Sequence, residues 1–145
     1  DSKGEILSRP ELQIFKVHSP QSLYVIVGPE CRVTSSSHAQ VVRIDETVSP
    51  AAYLQKSLRA LWERGLRSVW IEGGAATLSS ALHAGIGDRL WLFQGPHLLG
   101  ARHGRNWTEA WGAEDMQSRQ TLDGVRHLAL GPDHLTTGRM MSVKT

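Results

Sequence analysis

Val69-Trp70-Ile71-Glu72-Gly73-Gly74-Ala75-Ala76-Thr77-Leu78 sets the expected architecture of this chain. Three consecutive apolar residues, 69 to 71, suit a strand buried on both faces of a parallel sheet. Two glycines end it. Leu78, Ala81, Leu82 and Gly85 then fall at i, i+3, i+4 and i+7, which predicts a helix over 75–84. A strand that turns through Gly-Gly into a helix start lies at the carboxyl edge of a sheet, where α/β proteins bind ligands. Glycines 73 and 74 let a ligand approach the backbone, and the helix start offers unpaired N–H groups and a partial positive charge. The turn therefore reads as a phosphate cradle. A turn that merely packs strand against helix explains the same glycines, so the pattern leaves both readings open. Glu72, at the last strand position, is badly placed to hold phosphate but well placed to accept hydrogen bonds from sugar hydroxyls. An ordinary exposed glutamate is the alternative.

Upstream, residues 1–17 read as an irregular lead-in broken by Pro10, with Leu12, Ile14 and Phe15 as buried contacts. Residues 23–27 (Leu-Tyr-Val-Ile-Val), closed by Gly28-Pro29, predict a strand, and 41–44 a short second one. Ser49-Pro50 announces a helix, with serine as N-cap and proline at the first helical position. Leu54, Leu58, Leu61 and Trp62 form its apolar stripe, and Gly65 supplies a left-handed stop. Downstream, a strand over 89–93 would complete a right-handed βαβ unit. A tryptophan-bearing loop follows. Residues 121–130 and 134–143 then predict a hairpin around Gly131-Pro132-Asp133. The expected fold is α/β: a mostly parallel sheet around 23–27, 68–71 and 89–93, flanked by helices, with a C-terminal antiparallel hairpin.

The chain's 145 residues suit one compact domain, 1–145, and 40% apolar with 21% charged residues argues against disorder and coiled coil. The apolar runs fall well short of the ~18 residues of a membrane span, and no signal peptide opens the chain, so an intracellular domain is expected. A single cysteine, Cys31, excludes a disulfide framework and a cysteine zinc cluster. The seven histidines show no metal-ligand spacing, so no metal site is expected. No G-x-S-x-G elbow or P-loop occurs. A net charge of +2 with no basic stripe makes nucleic-acid binding a poor reading. Arg102 and Arg105 read as a solvated loop, and the five tryptophans as core or loop anchors.

The residues from Val69-Trp70-Ile71-Glu72-Gly73-Gly74 through Ala84-Gly85-Ile86-Gly87-Asp88-Arg89-Leu90-Trp91-Leu92-Phe93, then Gly95-Pro96-His97-Leu98-Leu99-Gly100, resemble one family. It is the reductase domain of the bifunctional riboflavin-biosynthesis deaminase/reductase, the RibD C-terminal domain, with a dihydrofolate-reductase-like fold. The tail 130–135 with Gly138-Arg139 resembles the family's ending, and Asp1-Ser2 its D-[S/T] after an earlier strand. The resemblance implies NADPH as cofactor. It further implies reduction of 5-amino-6-(5-phosphoribosylamino)uracil to its ribitylamino form. The C-terminal hairpin beside a truncated sheet should leave an apolar edge, so a homodimer is expected, in the cytoplasm. The resemblance places Glu72 on the ribose portion of this sugar-phosphate substrate. Gly73, Gly74, Ala75, Ala76, Thr77, Leu78, Ser79 and Ser80 would wrap the cofactor phosphates, and the Ser2 hydroxyl would touch the cofactor. No catalytic side chain is assigned.

This sequence departs from the family pattern by one extra residue near Ala75-Ala76 and by Arg89 in place of the usual glutamate. The family's S-x-D-G opening strand, its G-x-x-T-x-x-x-D-x-P segment and the zinc deaminase motifs have no counterpart. The sequence thus reads as a partial reductase domain. The alternatives are a non-catalytic nucleotide-binding or dimerisation remnant of the same fold and, least favoured, a nucleic-acid binder built on the 102–111 loop.

Overall fold

The computed structural model describes residues 1–45, 49–98, 104, 106–109 and 111–141. They form two compact units, Asp1–Trp70 and Ile71–Thr145. Helix and strand are mixed in each. Among the described residues, no helix is long and apolar enough to cross a membrane.

In the first unit, strands β1 (Tyr24–Val27) and β2 (Gln40–Arg43) pair in parallel, Tyr24 opposite Gln40 and Val27 opposite Arg43. Alternation along β1 sends Val25 and Val27 inward, where they meet Cys31 and Ala39. Leu7, Phe15 and Leu23 close over this core, which also takes in Gly4. Phe15, on the short helix α1 (Gln13–Val17), is half-buried against this core, whereas Ile14, also expected inside, is 43% exposed. A five-residue helix has too few positions to bury both neighbours on one side. The turn after β1 is tied down by Arg43, whose guanidinium donates to the carbonyls of Gly28, Pro29, Cys31 and Val33.

Helix α2 (Pro50–Glu63) starts and stops as its sequence signals predict. Ser49 Oγ accepts from the Ala52 amide at 3.1 Å, and Pro50 occupies the first turn. At the other end Gly65 takes φ 91°, its amide donates to Trp62 O, and the Leu66 amide donates to Leu61 O, a Schellman motif. The stripe is shallower than expected: Leu54, Leu58 and Leu61 are half-buried. Trp62 is 55% exposed, with the Arg67 guanidinium 4.0 Å from its ring centroid. A cation over the indole face substitutes there for core packing.

The Tyr53 hydroxyl on α2 is buried without a hydrogen-bond partner, and that burial, together with the neighbouring Cys31, pushes its pKa up. Tyr53→Phe removes an unpaired polar atom, so stability at neutral pH should hold or rise by up to about 1 kcal/mol. As pH climbs past the ordinary tyrosine pKa of about 10, the unfolded phenol ionises before the folded one and wild-type stability falls. The variant lacks that component. Urea denaturation at neutral and alkaline pH measures both effects, and a variant markedly weaker than wild type at neutral pH would contradict the burial account.

The second unit holds α3 (Ala75–His83) and an antiparallel sheet of β3 (Arg89–Gln94), β5 (Asp133–Met140) and β4 (Leu122–Leu130), in the order β3-β5-β4. The expected hairpin forms. It turns through Gly131-Pro132, with Gly131 at φ 65°, as a II′ turn requires of its first loop residue. A bulge between Asp123 and Arg126 breaks the β4 ladder.

Two parts of the expected sheet require correction. Residues 69–71 form no strand, and Val69 and Trp70 are 46% and 59% exposed. Three apolar residues make a strand only when a neighbour supplies the ladder, and none of the described strands pairs with them. Without that strand the 69–93 βαβ unit does not exist. β3 instead pairs antiparallel with β5, Arg89 opposite Arg139 and Gln94 opposite His134. The parallel component among the described strands is therefore the β1–β2 pair alone, not a continuous parallel sheet.

Candidate functional site

Helix α3 opens without a side-chain cap. Its N-cap, Gly74, is extended at φ −74° and ψ 174°, and the first turn carries no acidic residue. The first intrahelical bond runs from the Leu78 amide to Gly74 O at 3.2 Å. The amides of Ala75, Ala76 and Thr77 precede that bond, so the helix supplies them no acceptor. They form the positive end of the helix dipole, and no carboxylate of the helix's own first turn opposes it.

Ala75 and Ala76 of this first turn border a cavity of about 680 Å³. Gly73, Gly74, Ala75, Ala76 and Leu78 line it on the α3 side, and Asn106, Trp107, Thr108 and Glu109 on the other. The two glycines differ in what holds them small. A Cβ on Gly73 would stand 3.0 Å from Thr77 Cβ, which explains that glycine by packing. A Cβ on Gly74 would meet no protein atom within 4 Å, and its backbone angles suit any residue. Neither sterics nor conformation requires glycine at 74. The space left beside it belongs to the cavity wall, as a backbone cradle for a ligand needs.

The far wall is joined to α3 by Ser79, which is 5% exposed. Its Oγ accepts from the Glu109 amide at 2.8 Å and donates to Glu109 O at 3.2 Å. Trp107, 46% exposed, packs its ring 6.4 Å from that of Trp111 at 56°.

Of the residues singled out in the sequence, Gly73, Gly74, Ala75, Ala76 and Leu78 come together around the cavity. Thr77 stands against Gly73, Ser79 holds the opposite loop, and Ser80 Oγ donates to Ala76 O within the helix at 2.8 Å. Glu72 is exposed and precedes the lining residues. Ser2 belongs to the first unit, where its carbonyl accepts from the Gly28 amide at 2.7 Å at the end of β1. Arg102, Arg105, Leu99 and Gly100 lie outside the described residues. Among those described, no three His, Cys, Asp or Glu side chains converge to hold a metal.

In the sequence the wall formed by 106–109 figures only in the least favoured reading, a nucleic-acid loop over 102–111, because a loop without periodicity carries no local signal of what it faces. The Trp107-x-x-x-Trp111 spacing was its one visible mark. With the exposed amides and an aromatic wall, the cavity can take a ligand that combines an anionic group with a flat ring.

Two comparisons relate the chain to known proteins. Residues 9–136 match the RibD C-terminal domain family. Over 115 residues the chain is 24% identical to the riboflavin biosynthesis protein RibD of Bacillus amyloliquefaciens, an alignment covering 79% of this chain and 31% of that protein. The chain thus spans about a third of the length of this relative. The match takes in the β1–β2 pair, all of α3, β3 and β4, the residues lining the cavity and the first half of β5, and the chain belongs to the RibD C-terminal domain family.

Proposed function

We propose that this chain is the cofactor-binding part of an NADPH-dependent reductase of riboflavin biosynthesis, acting on 5-amino-6-(5-phosphoribosylamino)uracil. The observation that carries the reading is the uncapped start of α3 at Gly74, on the cavity wall, where a Cβ would meet no protein atom within 4 Å. NADPH, when bound, supplies the hydride that reduces the substrate's ribosyl group to the ribityl form.

The chain's own residues bind and orient. The amides of Ala75, Ala76 and Thr77 hold the diphosphate, Gly74 admits it to the backbone beside Gly73, and Trp107 offers an apolar face to a ring. Thr77 to Ser80, carried over from the family, belong to the α3 side of the same cofactor site in this reading. Glu72 accepts hydrogen bonds from substrate hydroxyls. A dihydrofolate-reductase-like arrangement, a cytoplasmic setting and a homodimer complete the proposal. The exposed Trp91 and Phe93 on one face of β3 support the dimer.

Calorimetric titration of NADPH and of the substrate tests the division of roles. Glu72→Gln should leave NADPH affinity within about twofold and weaken the substrate by about tenfold or more, the loss expected of one charge-assisted hydrogen bond. Equal weakening of both ligands would undo the assignment of Glu72. A wild-type chain that takes up no NADPH at millimolar concentration would overturn the reductase reading.

A further inference from the structure

Ser79 joins two segments 30 residues apart in sequence, and both line the same cavity. Its hydroxyl has one proton to donate, and that proton goes to Glu109 O. One of its lone pairs takes the Glu109 amide. The hydroxyl is nearly inaccessible, and it has no proton left for a phosphate oxygen. Its own carbonyl accepts from His83 Nδ1 at 3.0 Å. Both the Oγ and the main chain of Ser79 are therefore committed to protein partners.

We propose that Ser79 is a positioning residue: its reciprocal pair of hydrogen bonds latches the 106–109 loop to α3 and so fixes the Trp107 wall of the pocket. The proposal rests on the nucleotide reading of the pocket for its effect on ligand affinity, but not for the latch itself. A loop with few buried apolar contacts is held by its specific polar ties. Among the described residues of this loop, Gly104, Asn106, Trp107 and Glu109 are exposed and Thr108 is half-buried, and the Glu109 backbone carries the hydrogen bonds to α3. Removing the hydroxyl deprives the Glu109 amide of its acceptor, and the wall loosens while the rest of the unit keeps its own ladders.

Amide hydrogen exchange by NMR on the full chain, combined with NADPH titration, decides the matter. In wild type the Glu109 amide should be protected. In Ser79→Ala it should exchange at least about tenfold faster, as expected when a single hydrogen bond worth about 1.4 kcal/mol is lost, while β4 and β5 amides are unchanged. NADPH should bind the variant about fivefold more weakly, through loss of a preorganised wall. Ser79→Thr keeps the hydroxyl and should restore both, which a role in packing volume alone would not. An unprotected Glu109 amide in wild type, or unchanged exchange in Ser79→Ala, would overturn the latch. A loosened Glu109 with unchanged NADPH affinity would overturn its role in shaping the pocket. If wild type binds no NADPH, the cofactor reading falls and the latch stands or falls on the exchange comparison.

Discussion

Gly74→Val is expected to weaken NADPH binding by at least tenfold while leaving the stability of the chain within about 1 kcal/mol of wild type. The second half of this expectation is what makes the first informative. At φ −74° and ψ 174° valine adopts the native backbone without strain, and no protein atom lies within 4 Å of its Cβ. Valine is a poorer N-cap than glycine, but it also reduces the freedom of the unfolded chain, and the two effects oppose each other at a few tenths of a kcal/mol to about 1 kcal/mol each. The branched side chain then occupies space beside the first-turn amides, where phosphate oxygens must come within about 3 Å. Calorimetry for binding and urea denaturation for stability separate the two. Unchanged affinity in a folded variant would mean that the cavity at α3 does not hold the cofactor. A substitution at Gly73 gives no such separation, because its Cβ would press on Thr77.

Gly4→Ala should produce the largest loss of stability, about 2–4 kcal/mol, from two costs that add. Gly4 sits at φ 72°, where an L side chain is strained, and its Cβ would stand 2.6 Å from Cys31 Sγ and 3.5 Å from Val27 Cγ1. Cys31 is 4% exposed and Val27 fully buried, so neither has free space to move into. Cys31→Ala removes the sulfur and leaves the backbone strain. The double variant should therefore be more stable than the sum of the two single losses allows, by about 1–2 kcal/mol. Urea denaturation of the four proteins measures this coupling. Strict additivity would show that the Gly4–Cys31 contact does not limit packing, and that the backbone angle alone requires glycine.

How much was legible in the sequence depended on whether a feature's signals were local. Helix α2 was readable end to end because Ser49, Pro50 and Gly65 each act within one turn of the boundary they set. The β4–β5 hairpin was readable because Gly131-Pro132 fixes the turn and the turn fixes the register. Residues 69–71 misled because apolarity states what a segment can bury, not which strand pairs with it, and no described strand does. The same gap hid the pairing of β3. Its sequence suits a strand in either direction, and the partner that sets an antiparallel ladder, β5, lies some 40 residues on.

The site divides in the same way. Its α3 side, Gly73 to Leu78, was legible because a strand-end glycine pair before a helix is a contiguous motif. Its other side was not, since Ser79 reaches Glu109 across 30 residues, and a serine inside a helix gives no sign of a distant partner. The turn's two explanations, packing or ligand cradle, part in the surroundings of each glycine: a Cβ on Gly73 would press on Thr77, whereas one on Gly74 would meet no protein atom within 4 Å.

The most direct measurement on the central claim is the response of the Ala75, Ala76 and Thr77 amides to NADPH, followed by NMR on isotopically labelled chain. Bound diphosphate should shift these three amides strongly and slow their exchange, with a smaller response from Trp107 across the cavity, while the β1–β2 unit keeps its protection pattern. Saturation with NADPH that leaves these amides unmoved, or that acts on residues away from α3, would contradict the assignment of this cavity as the cofactor site.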